Sequence, residues 1–179
     1  LGPNTGGMGV YSPVPMVTDE ELETMIDIEK RVVAELAAEG ITYSGCLYGG
    51  FMLTKDGPKV LEFNARFGDP ETQVVLPRMK ADLVDVFLAC DNGTLDPKDV
   101  RWGDDWAVSV VLTSAGYPGS YEKGKVISGI EDARAMDGVT VYHAGTKLDD
   151  EGRVLTNGGR VLDVTAVAPT FEEARNLAY

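Results

Sequence analysis

The chain has 179 residues, 44% hydrophobic and 25% charged, the make-up of a globular protein with one ordinary domain or two small ones. A net charge of −13 argues against nucleic acid or an anionic membrane surface as the main partner, though not against an anionic small molecule held by a few local cations. No apolar run approaches the roughly 18 residues that a membrane span needs, and there is no signal-peptide pattern, so the expected compartment is the cytoplasm.

The opening, "LGPNTGGMG", is loop-like and lacks a start methionine, which reads as a stretch from inside a longer protein. "YSPVPMV" is extended by its prolines. The clearest helix follows: Thr18 and Glu21 form a capping-box pattern, Leu22, Met25, Ile26, Val32, Val33 and Leu36 recur at helical spacing, and Gly40 is a natural stop. "ITYSGCLYGGFMLT" and "KVLEFNARF" read as two strands of a hairpin joined through "KDGP". Asp69 with Pro70 then predicts a helix start, Pro77 a kink, and "ADLVDVFLACDNG" a helical continuation to Gly93.

The polar stretch "TLDPKDVRWGDD" predicts a domain boundary, with Trp102 and Trp106 read as interdomain packing. Beyond it "WAVSVVLTS", "KVISGI", "VTVYHAGTKL" and "RVLDVTAVA" read as strands, and Asp149 to Gly152 as a hairpin turn. A last helix opens at Thr170 and Glu173, another capping box, and stops after about two turns, as though cut short. Cys46 and Cys90 lie far apart in apolar surroundings, match no metal spacing and read as reduced, buried thiols. His143, in an alternating strand, reads as structural.

The chemistry concentrates in "KVLEFNARFGDPETQ", residues 59–73. With a period of two, Leu61, Phe63, Ala65 and Phe67 share one strand face while Val60, Glu62, Asn64 and Arg66 share the other. A carboxylate and an amide oxygen two residues apart can ligate one hard cation such as Mg²⁺, which completes its shell with phosphate oxygens and water. Arg66 carries the planar fork that suits phosphate or carboxylate. A solvated face with a Glu–Arg pair fits the spacing equally. "RFGDPETQ" adds a helix amino terminus able to meet an anion, and Asp69 can either orient a substrate amine or cap that helix. "NTGGMG" is no Walker A loop, because no Gly-Lys-Ser/Thr follows; its glycines let backbone N–H groups converge on an anion, or simply make a turn.

"EFNARFGDPETQ" resembles the signature of the phosphoribosylamine–glycine ligase (glycinamide ribonucleotide synthetase) family of the ATP-grasp superfamily. "GPNTGGMGVYSP" resembles that family's substrate loop, "LYGGFMLTKDGPKVLEFN" its metal-binding hairpin, and "GYPGSYEKGKVISGI" and "GGRVLDVTA" its carboxyl-terminal domain. The resemblance implies an α+β fold: residues 1–92 as the carboxyl-terminal part of an ATP-grasp core, an antiparallel sheet with helices, and residues 93–179 as a small, mostly β domain. It also implies joining of glycine to 5-phosphoribosylamine at the expense of ATP, through a glycyl phosphate, in purine biosynthesis. Mg²⁺ or Mn²⁺ would be held by Glu62 and Asn64. Arg66 would stabilise the transferring phosphoryl group, and Asn4, Thr5, Gly6, Gly7, Met8, Gly9 and Asp69 would bind substrate.

Many ATP-grasp enzymes carry a further acidic metal ligand on the preceding strand, which "CLYGGFMLT" lacks; either fewer protein ligands hold the metal or another segment contributes. The family's amino-terminal and nucleotide-clamping domains have no counterpart here, so the chain alone is expected to be inactive. A monomer and a fusion with other purine enzymes fit the longer protein equally. Two alternatives stay open, another ATP-grasp carboxylate–amine ligase and a non-catalytic module that keeps the fold.

Overall fold

Thr18 starts the first helix by the reciprocal bonding that its sequence predicts. Its Oγ1 accepts from the Glu21 amide at 3.2 Å, and the Glu21 carboxylate accepts from the Thr18 amide at 2.9 Å. The computed structural model describes residues 2–179. In chain order its elements are β1 (Gly9–Ser12), α1 (Asp19–Ala38), β2 (Tyr48–Thr54), β3 (Gly57–Asn64), α2 (Thr72–Val75), α3 (Leu83–Asp91) and β4 (Trp106–Thr113). There follow α4 (Ile130–Arg134), β5 (Val139–His143), β6 (Thr146–Leu148), β7 (Val154–Thr156), β8 (Arg160–Ala168) and α5 (Phe171–Ala178).

The chain forms two compact units, and neither is a single stretch of sequence. One comprises Val14–Gly68 and Met79–Trp102. In it α1 lies against the β2–β3 hairpin, whose turn is made by Lys55 and Asp56, with Gly57 at φ +86°. Gly40, at φ +80°, ends α1 as expected. The apolar face of α1 has the expected period but no buried residue, and Leu61 and Phe63 of β3 are also exposed.

The other unit comprises residues 2–13, Asp69–Arg78 and Gly103–Tyr179. Its antiparallel sheet runs β1-β4-β8-β5, and on one face α5 seals Val108 and Ala166 with its own Ala174 and Ala178. Tyr11, Trp106 and Phe171 close this core edge to face, with ring centroids 5.3 and 5.6 Å apart. Val111, Asp163, Ser109 and Thr165 occupy the opposite face, since each of these cross-strand pairs shares a side, and α2 packs there with Val74 buried. Thr165 donates to Ser109 Oγ at 2.8 Å, satisfying two buried hydroxyls.

Contacts therefore group the chain otherwise than a single cut between residues 92 and 93 would. The reason is backbone pairing: β1 zips onto β4 along its whole length, and Val74 of the Asp69–Arg78 segment is buried in the same unit.

Three local expectations change. The helix after Asp69 is one four-residue turn capped by Glu71 without a side-chain bond; Leu76–Arg78 is a 3₁₀ turn at Pro77, and α3 starts afresh at Asp82, whose carboxylate accepts from the Val84 amide at 2.8 Å. "KVISGI" makes an isolated bridge, Val126 to Leu155, and leads into α4 through Gly129 at φ +81°. "VTVYHAGTKL" breaks at Ala144 and Gly145 into β5 and β6, and β6 pairs with β7 across the Asp149–Gly152 turn. Among the described residues no helix is long and apolar enough to cross a membrane.

Candidate functional site

Glu62 and Asn64 stand two residues apart near the end of β3, opposite Gly50 and Tyr48 of β2. The register slips between Gly50 and Phe51, leaving Leu61 without a cross-strand partner just before the pair. Gly50 gives the Glu62 side chain its room: a Cβ there would stand 3.3 Å from Glu62 Cγ. Arg66 does not share the strand face, because β3 ends at Asn64. It lies in the bend beyond and folds back, donating to the Phe67 carbonyl at 2.8 Å and to Asn64 Oδ1 at 3.4 Å. The Glu–Arg pair allowed by the spacing does not form; the guanidinium goes to the amide instead.

A divalent cation suits this donor set. Carboxylate and amide oxygens are the ligands that Mg²⁺ and Mn²⁺ favour. Asn64 Nδ2 is buried with no hydrogen-bond partner among the described residues, so its amide is incompletely satisfied where it stands. Among the described residues no group of three or more His, Cys, Asp or Glu side chains gathers to hold a metal, so any ion here would rest on few protein ligands.

Residues 4–9, the expected substrate loop, and Asp69 belong to the other unit. Asn4 and Thr5 are exposed; the Met8 carbonyl accepts from the Val111 amide at 3.1 Å, and Gly9 pairs with Val110. The Gly6 amide donates to Tyr117 Oη at 3.3 Å. Gly7 is required by close approach, because a Cβ there would overlap the Pro70 ring; one on Gly6 would stand 3.0 Å from the Arg160 guanidinium, the movable end of a long side chain. Asp69 is not a helix cap. Its carboxylate accepts from Arg160 Nη2 at 2.7 Å and from Gln73 Nε2 at 3.1 Å.

Sequence reasoning missed Arg160, Gln73 and Asp163. Asp163 is 2% exposed; burial, then the nearby Asp69 charge, push its carboxyl above the usual carboxylate range, against the pull of Arg160 and a hydrogen bond with Gln73. An acid inside the apolar run "VLDVTAV", three residues after an arginine, was the available signal. His143 bonds Thr146 Oγ1 at 3.0 Å and lies 3.1 Å from an Arg134 nitrogen, a structural setting. Cys46 and Cys90 are half-buried and free, and burial followed by the Glu29 charge raises the Cys46 thiol.

Residues 1–72 match the family model of the phosphoribosylglycinamide synthetase ATP-grasp (A) domain, and residues 107–179 that of its C domain. A phosphoribosylamine–glycine ligase of Salmonella typhimurium is 54% identical over 99% of this chain and 42% of its own length. The chloroplastic ligase of Arabidopsis thaliana is 50% identical over 99% of the chain and 34% of its own. The chain thus spans under half the length of these relatives. In structure it resembles the phosphoribosylamine–glycine ligase of Thermotoga maritima, with a TM-score of 0.81, 38% identity, and coverage of 100% of this chain and 43% of that one. The N5-carboxyaminoimidazole ribonucleotide synthetase of the same organism shares the fold, with a TM-score of 0.66 at 20% identity over 95% of this chain and 42% of that one. With both models and a mixed α/β fold of antiparallel sheets in agreement, the chain belongs to the phosphoribosylglycinamide synthetase family of ATP-grasp ligases.

Proposed function

We propose that the full-length protein joins glycine to 5-phosphoribosylamine, consuming ATP and yielding glycinamide ribonucleotide, ADP and phosphate, in the cytoplasm as a step of purine biosynthesis. The γ-phosphoryl group would pass to the glycine carboxylate, and the amine of phosphoribosylamine would then displace phosphate from the glycyl phosphate. The observation that carries this reading is the Glu62–Asn64 pair of oxygen donors, with the Arg66 guanidinium drawn back to Asn64, inside a family-matched motif. Glu62 and Asn64 would hold Mg²⁺ or Mn²⁺, which offsets charge on ATP oxygens when bound. Arg66, with donors to spare beyond Phe67 and Asn64, would stabilise the transferring phosphoryl group. Residues 4–9 and Asp69 would bind the glycine or phosphoribosylamine end. The family boundary would fall between residues 72 and 107, where neither model matches, which accommodates a division near residue 92.

The test is product formation by the full-length protein with all three substrates and Mg²⁺ or Mn²⁺. Glycinamide ribonucleotide and ADP should accumulate together, and removal of the divalent ion should stop both. ADP release that ignores glycine and phosphoribosylamine would point to a different acid or amine.

A further inference from the structure

Strict alternation along β8 would put Arg160 on the side of Leu162. The register prevents it: Leu112 pairs with Leu162 and Thr113 with Arg160, leaving Val161 as an extra residue without a cross-strand partner. Paired residues share a face, and Thr113 points away from the Leu112 face, so the bulge turns Arg160 onto the side that carries Asp163. There the guanidinium joins three segments distant in sequence. Nη2 donates to Asp69 Oδ2 at 2.7 Å, and Nη1 lies 3.3 Å from Asp69 Oδ1, the Asp69 carbonyl and the Gly7 carbonyl. Gly6 lies close to the guanidinium as well, since a Cβ there would stand 3.0 Å from Cζ.

We propose that Arg160 is the positioning residue of the glycine loop, latching Gly6 and Gly7 to Asp69 so that residues 4–9 hold one shape before substrate arrives. Its consequence for catalysis rests on the reading of that loop as substrate-binding. On one side the loop is fixed by β1 in the sheet; toward Asn4 it is held by the Gly6–Tyr117 bond and by Arg160. A planar five-donor cation can bridge a carboxylate and two carbonyls at once, with a wider reach than the compact three-donor ammonium of lysine. The surroundings keep Arg160 for Asp69. Asp163, the other carboxyl nearby, is held toward its neutral form by burial, and its Oδ1 has no partner among the described residues.

The experiment uses the full-length enzyme with Arg160→Met and Arg160→Lys, read by amide hydrogen exchange and by KM for each substrate. In Arg160→Met, amides of Thr5, Gly6, Gly7 and Met8 should exchange about tenfold faster, the loss expected for charge-assisted bonds. KM for glycine or phosphoribosylamine should rise by about tenfold or more, as for a misplaced binding group, while KM for ATP stays within about twofold. Lysine keeps the charge and reaches Asp69 but cannot also bridge to Gly7, so it should leave the loop amides fast; if the methionine variant fails to fold, this variant carries the test. Unchanged exchange over residues 5–8 in a folded variant, full rescue by lysine, or an equal rise in all three KM values overturns the latch. A wild-type enzyme that makes no glycinamide ribonucleotide would sink the proposed function, while the exchange data would still decide the latch by themselves.

Discussion

Gly7 and Pro70 meet so closely that no side-chain carbon fits between them: a Cβ on Gly7 would overlap the proline ring, and Pro70 is itself buried. Gly7→Ala must therefore push the Asp69–Arg78 segment off the sheet or distort the loop. We expect a loss of about 1–3 kcal/mol, the usual range for overpacking. Gly2→Ala, where a Cβ meets nothing within 4 Å, should change stability by less than about 0.5 kcal/mol. Chemical unfolding of the two full-length variants side by side makes the comparison, and equal stability would refute the packing argument.

Glu62→Gln in the full-length protein should lower kcat by a large factor while leaving the melting temperature within a few degrees. Glu62 is exposed on β3, so its replacement costs little folding energy, whereas under the proposed function the oxygen charge it would offer a cation would matter most as ATP reacts. The measurement is steady-state kinetics across a Mg²⁺ and Mn²⁺ titration. Activity within about threefold of wild type at every metal concentration would remove Glu62 from the metal site.

Arg66→Lys keeps the charge and loses the fork. If Arg66 only tethers the bend through Phe67 and Asn64, lysine should serve nearly as well, since exposed polar pairs contribute about 0–1 kcal/mol. If it grips phosphoryl oxygens in the transition state, kcat should fall about a hundredfold, near 3 kcal/mol, as when an oxyanion-hole donor is lost. Turnover at saturating glycine and ATP separates the two.

Asp163 gives a pH dependence whose sign is fixed. Its folded-state pKa lies above its unfolded one, because burial and Asp69 disfavour the charged form. The folded state then binds more protons, so the contribution is most favourable at acid pH and is lost as pH rises from the ordinary carboxylate range through the folded pKa. Asp163→Asn should remove that loss, making the variant relatively more stable at pH 7 than at pH 4. Unfolding free energies of wild type and variant over that interval provide the check, and a pH-independent difference would mean that Asp163 titrates normally.

What the sequence revealed followed the range of the forces involved. Thr18 with Glu21, Thr170 with Glu173, and the Lys55–Asp56 turn are set by residues a few positions apart, and each was legible. The Glu62–Asn64 spacing was legible too, because strand alternation is local. Arg160 was not, since its place depends on a bulge at Val161 created by pairing with β4, and its partners lie 91 and 153 residues away. Asp69 misled for the same reason: the local pattern Asp-Pro says helix cap, and a distant guanidinium claims the carboxylate. β1 was overlooked because four residues that include a glycine carry almost no strand signal until β4 supplies the partner.

The pairing of β1 with β4 also sets a timetable for synthesis. Gly9 finds its partner at Val110, so the strand leaves the ribosome about 100 residues before anything exists for it to join. At roughly 5–20 residues per second that is a wait of about 5–20 s, during which Val10 and Tyr11 are bare backbone and apolar side chain. Only once β4 has emerged can the edge close, and only once β8 has followed is β4 covered on both sides. The hairpin and α1, whose contacts are nearer in sequence, can form in the interval. The glycine loop attached to β1 thus takes its final shape late, well after it is made, because the strands that hold it follow it in the chain.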